Sequence, residues 1–162
     1  MSIAVYAGSF DPITLGHASV VRRAARLFSH VRVLVAVNPD KQTLFSETER
    51  VALARELVAA MPNVSVDATT GLVVDYARAI GASYLVRGLR GAADAAPETE
   101  LARANSALAP ELLTLLIPAE PGLSEVSSSE LKSLARVGGD LSRFAPASVV
   151  VELERRLAGG DR

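Results

Sequence analysis

No cysteine occurs in the 162 residues. Disulfides, thiolate catalysis and cysteine-ligated zinc are thereby excluded. Lysine and histidine are nearly as scarce. Of 17 basic residues only Lys41 and Lys132 are lysines, and His17 and His30 are the two histidines. A charge excess is missing as well: the formal balance is -1, which argues against a protein built to coat nucleic acid or an acidic membrane. No apolar run approaches the roughly 20 residues a membrane-spanning helix needs. The first residues lack the basic stretch and long apolar run of a targeting segment. A cytoplasmic protein with neither a nucleic-acid nor a membrane partner is therefore expected. No linker, repeat or low-complexity tract interrupts the chain, and its length suits one domain over 1–162.

What is present is an alternation. Short apolar runs at Ile3–Ala7, Val31–Val37, Val64–Val66, Tyr84–Arg87 and Leu112–Ile117 read as strands. Between and after them lie helix-period segments at His17–Ser29, from Ser46 to about Ala60, Leu72–Ile80, Asp94–Leu108, from Ser127 to about Arg136, and Pro146–Leu157. Ser46-Glu47-Thr48-Glu49 and Ser127-Ser128-Ser129-Glu130 have the form of capping boxes. Pro97 fits the first turn of its helix. Strands apolar on both faces and joined through helices imply an α/β, Rossmann-like fold. Its sheet is five-stranded and mostly parallel, with helices on both faces. Ligands of such sheets bind beyond the carboxyl ends of the strands. Four polar clusters fall there: Gly8 to His17, Asn38 to Lys41, Arg87 to Gly91, and Leu123 to Ser129.

The first cluster is the most informative. A strand ends, Gly8 lets the backbone turn, and a helix begins near His17. Helix N-termini present unpaired N–H groups and a partial positive charge, a natural phosphate site. Ser9 adds a hydroxyl, and Gly16 leaves room for a base or ribose against the backbone. A strand-to-helix turn capped by Thr14, with a solvated His17, is the plainer reading, but a plain turn needs fewer special residues. Elsewhere plain readings stand beside the functional ones. The serine triplet can be a helix cap, Glu98 a first-turn carboxylate facing the helix dipole, Asp11-Pro12 a turn, and Arg90 a solvated charge.

Tyr6-Ala7-Gly8-Ser9-Phe10-Asp11-Pro12-Ile13-Thr14-Leu15-Gly16-His17 resembles the signature of the nucleotidylyltransferase superfamily, whose core is Thr/His-x-Gly-His. Arg87-Gly88-Leu89-Arg90, Val126-Ser127-Ser128-Ser129 and Gly138-Gly139-Asp140-Leu141 extend the resemblance to the bacterial phosphopantetheine adenylyltransferase family over nearly the whole chain. That resemblance implies adenylyl transfer from ATP to 4′-phosphopantetheine, giving dephospho-coenzyme A and pyrophosphate. It implies Mg²⁺, held mainly by substrate phosphates because the sequence offers no dense carboxylate cluster, and no residue is assigned as a metal ligand. It also implies a homo-oligomer, a hexamer in the family, and coenzyme A as a feedback ligand.

Residue roles follow from the same resemblance. His17 stabilises the transition state and contacts ATP phosphates, with Lys41 and Arg90 beside it in the catalytic set. Ser9, Phe10, Gly88, Leu89, Arg90, Glu98 and the run Leu123, Ser124, Glu125, Val126, Ser127, Ser128, Ser129 face ATP. Ser9, Lys41, Val73, Arg87 and Asn105 face phosphopantetheine. The chain departs from the family at Asp94-Ala95-Ala96-Pro97, where an aromatic, acidic run is usual, and at Leu123 and Glu125, where aromatics are common. These departures bear on substrate affinity. The altered 94–97 segment leaves open a same-fold enzyme for another phosphorylated acceptor, and a second alternative is a non-catalytic nucleotide- or coenzyme A-binding protein that kept the cradle and lost turnover.

Overall fold

The computed structural model describes residues 1–123 and 125–158. Five strands and six helices follow in the expected order: β1 (Ile3–Gly8), α1 (Leu15–Leu27), β2 (His30–Ala36), α2 (Glu47–Val58), β3 (Val64–Thr69), α3 (Val73–Ala79), β4 (Tyr84–Leu89), α4 (Ala92–Leu108), β5 (Leu113–Pro118), α5 (Ser128–Arg136) and α6 (Ala147–Ala158). The strands form one sheet in the order β3-β2-β1-β4-β5, and every pairing is parallel. Sequential strands thus run one way from β1 and then resume on its other side. The reversal beside β1 is the switch point where such sheets open a crevice. Among the described residues no helix is long and apolar enough to cross a membrane.

Register explains which side chains meet which layer. Gly8 pairs with Val35 and Tyr6 with both Val33 and Val86. On one face Tyr6, Val31, Val33, Val35 and Val86 join Val20, Val21 and Ala24 of α1, Leu53 and Ala54 of α2, Leu131 of α5, and Val149 and Leu153 of α6 in the larger core. The other face holds a smaller core: Val5, Ala7, Leu34 and Leu85 under Val74 and Ala77 of α3. α4 contributes no fully buried residue, and Leu72, Leu101, Leu108 and Leu113 stand exposed around this second face.

Helix ends depart from the sequence reading in instructive ways. The boxes at Ser46/Glu49 and Ser127/Glu130 form as expected. A third box forms at α1, where Thr14 is N-cap and the N3 residue reaching back is His17. Asn63 donates its side-chain amide to the Ala25 and Phe28 carbonyls and so satisfies the end of α1. α4 opens at Ala92 rather than Asp94, which puts Pro97 past the first turn. The early start is held by Asp94, whose carboxylate accepts the Arg90 backbone N–H at 2.8 Å and its guanidinium at 2.9 and 3.1 Å. β3 continues three residues beyond Val66. Polar Asp67 remains in the edge strand because Tyr76 Oη–H donates to it at 2.7 Å and Arg32 at 3.3 Å.

Candidate functional site

A cavity of about 310 Å³ opens over the carboxyl ends of β1 and β4. All four polar clusters reach it or its rim. Its lining includes Ser9, Phe10, His17, Lys41, Arg87, Gly88, Leu89, Arg90, Glu98, Leu123, Val126 and Ser127 to Ser129. The sheet topology does this work. Each segment leaves a parallel strand at the same edge, so residues eighty positions apart become neighbours.

His17 is the best-defined group. Thr14 donates its backbone N–H to His17 Nδ1 at 3.0 Å, and Thr14 Oγ1 accepts the His17 backbone N–H at 3.2 Å. An Nδ1 that accepts cannot carry the proton of a neutral ring, so the proton sits on Nε2. Burial pushes the His17 pKa down to about 4, and the nearby positive charges of Arg90 and Arg87 push it the same way. At neutral pH the ring is therefore an uncharged Nε2–H donor with a fixed tautomer. It is not the solvated histidine of the plainer reading. The Phe10 ring meets it edge-on at 5.0 Å, and Tyr6 packs on Phe10 at 5.3 Å.

Phe10 occupies the left-handed region at φ 47°, a strained conformation for a bulky residue and one that clusters at functional sites. Its ring is buried at 3% exposure, so the loop offers the cleft chiefly its backbone there. Gly16 was expected to admit a ligand against its backbone. Its tightest constraint is instead internal: a Cβ there would lie 2.7 Å from the Leu123 carbonyl oxygen. The glycine lets the Leu123 loop close down on the start of α1.

The cations differ in how they are held. Lys41 Nζ approaches Ser9 Oγ at 3.4 Å. Arg87 donates Nε and Nη2 to Glu98 at 2.6 and 2.9 Å and Nη1 to the Ala7 carbonyl at 2.5 Å. Three of its five N–H groups are thus occupied and two remain for a phosphate. Glu98 lies beyond the first turn of α4, so its charge is set against Arg87 rather than against the helix dipole. Arg90 bridges Asp94 at 2.9 Å and Glu130 at 3.4 Å. On the α5 side, Ser127 caps the helix, and Ser128 Oγ–H donates to the Pro12 carbonyl at 2.8 Å. The Ser128 hydroxyl proton is thereby committed to the opposite wall.

The remaining expected residues sit elsewhere. Val73 opens α3 and packs beside the smaller core. Asn105 lies in the last turn of α4, its carbonyl accepting the Ala109 N–H. Neither lines the cavity, and exposed Glu125 does not either. Ser124 lies outside the described residues.

Asp11 and Lys132 are cleft residues that escaped the sequence reading. Asp11, taken for part of a turn, is 4% exposed. Its carboxylate accepts the Leu44 and Phe45 N–H groups at 2.9 Å each and Lys132 Nζ at 2.9 Å. Burial pushes its pKa up, but Lys132 and the two amides outweigh that and hold it below the usual carboxylate range. Lys132, to which no role was assigned from the sequence, lines the cleft. It falls four positions after Ser128 on α5, the spacing that puts two residues on one helix face. That was the available signal.

Comparisons with known proteins agree with this geometry. Residues 5–134 match the model of the cytidylyltransferase-like family. The chain is 48% identical over 155 residues to a phosphopantetheine adenylyltransferase of Herpetosiphon aurantiacus, covering 96% of this chain and 94% of that one. It is 44% identical to a protein of the same name from Levilactobacillus brevis, covering 98% and 99%. A solved structure from Vibrio parahaemolyticus, provisionally assigned as a nicotinate-nucleotide adenylyltransferase, superposes with a TM-score of 0.69 over 97% of this chain and 95% of that one. At 18% identity that likeness is one of fold.

Proposed function

The chain belongs to the phosphopantetheine adenylyltransferases of the cytidylyltransferase-like family, and from that premise we propose how its cleft joins ATP to 4′-phosphopantetheine. An oxygen of the acceptor phosphate attacks the α-phosphorus. The new P–O bond forms as the α–β bridging bond breaks. Pyrophosphate leaves, and dephospho-coenzyme A is the product. The nucleophile is already an anion, so the enzyme needs alignment and charge stabilisation rather than a strong base.

The observation that carries this reading is His17. Its ring is neutral, its tautomer is fixed by the Thr14 N–H, and it faces the same cavity as Lys41, Arg87 and Arg90. Nε2–H donates to the oxygen on which charge grows as the α-phosphoryl group becomes five-coordinate. Ser9 and Lys41 receive the acceptor phosphate, joined by the two remaining N–H groups of Arg87. Gly88 to Arg90, Glu98 and the 123–129 segment hold ATP. Val73 and Asn105 take the pantetheine arm in the family-derived assignment.

Mg²⁺ completes the reading by neutralising the ATP phosphates. The three acids of the cleft, Asp11, Asp94 and Glu98, each already face a cation. Among the described residues no group of three potential ligands is placed to hold a metal. This supports an ion bound by substrate oxygens and water. Exposed Leu72, Leu101, Leu108 and Leu113 support self-association, which we assign as a homohexamer in the cytoplasm with coenzyme A as a feedback ligand.

Pyrophosphate release tests the assignment. With ATP and Mg²⁺, release is expected with 4′-phosphopantetheine and not with nicotinamide mononucleotide or glycerol 3-phosphate. Release with another acceptor alone would overturn the choice of substrate. Tight ATP binding with no turnover on any acceptor would make the protein a binder.

A further inference from the structure

Among the described residues, Arg50 is a buried charge without a counter-charge. It sits in the first turns of α2 at 3% exposure. Nη1 donates to the Ser9 carbonyl at 2.7 Å and to the Ala36 carbonyl at 3.4 Å. Nε has no hydrogen-bond partner. Among the described residues no carboxylate oxygen comes within 4.0 Å of its guanidinium nitrogens. Two partly buried cations near the cleft are paired: Arg87 with Glu98 and Lys132 with Asp11.

A guanidinium keeps its charge in a protein, and burying such a charge unpaired is costly. A chain that wanted only a brace on the Ser9 carbonyl could use a neutral amide donor. The location is informative. Arg50 lies behind Ser9, and Lys41 reaches the hydroxyl of the same Ser9 at 3.4 Å. Ser9 and the end of β2 are therefore flanked by two positive charges, one at the cleft surface and one beneath it.

We propose that Arg50 is a positioning residue for the acceptor phosphate: it fixes the Ser9 backbone, and its unneutralised charge is balanced by the phosphate dianion that Ser9 and Lys41 receive. This rests on the assignment of Ser9 and Lys41 to the acceptor. Arg50 does not line the cavity, so it acts through Ser9 and through space.

Calorimetric titration with 4′-phosphopantetheine and with pantetheine, which lacks the phosphate, separates charge from scaffolding. R50Q removes the charge, and its amide ends at the depth of the unpartnered Nε, so the bond to the Ser9 carbonyl is lost with it and the comparison of the two ligands is what separates charge from scaffolding. R50Q is expected to bind 4′-phosphopantetheine about tenfold or more weakly and pantetheine as the parent protein does. R50K keeps the charge but loses the planar fork. It is expected to stay within about threefold of the parent for 4′-phosphopantetheine, a far smaller loss than for a missing charge. Equal loss of both ligands in R50Q, or no loss of either, overturns the proposal. Should R50Q not fold, R50K decides alone, and a loss there of about tenfold overturns it. A parent protein that binds both ligands alike removes the acceptor assignment itself, an outcome read before any variant is made.

Discussion

Asp11 and Glu130 each hold a cation at the cleft, Asp11 holding Lys132 and Glu130 holding Arg90. Asp11 is 4% exposed, whereas the Glu130 side chain is 62% exposed. The wall built from β1, the β2–α2 connection and α1 is braced from inside. Asp11 pins Leu44 and Phe45, Thr14 fixes His17, and Arg50 holds Ser9. The wall formed by the starts of α4 and α5 is tied by ion pairs in water. Buried pairs are screened little and break expensively, while exposed pairs contribute at most about 1 kcal/mol. The inner wall is therefore the preorganised one, suited to a fixed transition-state donor. The outer wall can exchange its partners for a ligand's phosphates at small cost.

The sharpest way to break this contrast is D11A. It strands the Lys132 ammonium and two amide N–H groups in a buried site, so a stability loss of about 3–5 kcal/mol is expected from urea unfolding. A loss under about 1 kcal/mol would put the inner wall on the same footing as the outer. Next comes H17A. Removing a preorganised donor aimed at developing charge should lower kcat about 100-fold or more, with a much smaller change in ATP affinity. If kcat stays intact while ATP affinity collapses, His17 binds ground-state ATP and the inner wall loses its special role.

The inner wall also predicts a pH signature. The His17 pKa is pushed down to about 4 in the fold, against about 6.5 in an unfolded chain. The unfolded state therefore takes up the proton first as pH falls. The fold should lose stability as pH falls from about 6.5 toward about 4, and this component should vanish in H17A. An NMR titration of the His17 ring should show a midpoint near 4 with the neutral form protonated at Nε2. A midpoint near 6.5 would mean an open, solvated ring.

The fold was legible because most strands are apolar runs and two helices are announced by local caps, at Ser46 and Ser127. Local signals of that kind need no knowledge of distant residues. The convergence of Ser9, Lys41, Arg87 and Ser127 was legible for a related reason: parallel strands put all their following loops at one edge. Asp11 was not, because its meaning lies in Lys132, 121 positions away, and in two backbone amides. Arg50 looked like any helix arginine until α2 was docked on the Ser9 loop. Gly16 was read for a ligand when its neighbour is the Leu123 carbonyl. Individual residues that brace a site from behind carry no periodicity and no motif.

The smallest expected effect belongs to Glu130, and it tests the outer wall most directly. Glu130 does two things: its carboxylate accepts the Ser127 N–H at 2.7 Å, and it faces Arg90 at 3.4 Å. E130Q separates them, because glutamine still closes a capping box while carrying no charge. α5 should therefore keep its start, with thermal stability changed by less than about 1 kcal/mol. Arg90 would retain Asp94 as its partner but lose a competitor for the ATP phosphates. The KM for ATP should fall by no more than about threefold, since an exposed pair contributes so little. E130A also removes the cap and should cost about 1 kcal/mol of stability beyond E130Q. If E130Q instead destabilised the protein as D11A is expected to, the outer wall would prove as rigid as the inner. A bound phosphate would then have to be accommodated by the loop before α5 rather than by a change of partner at Arg90.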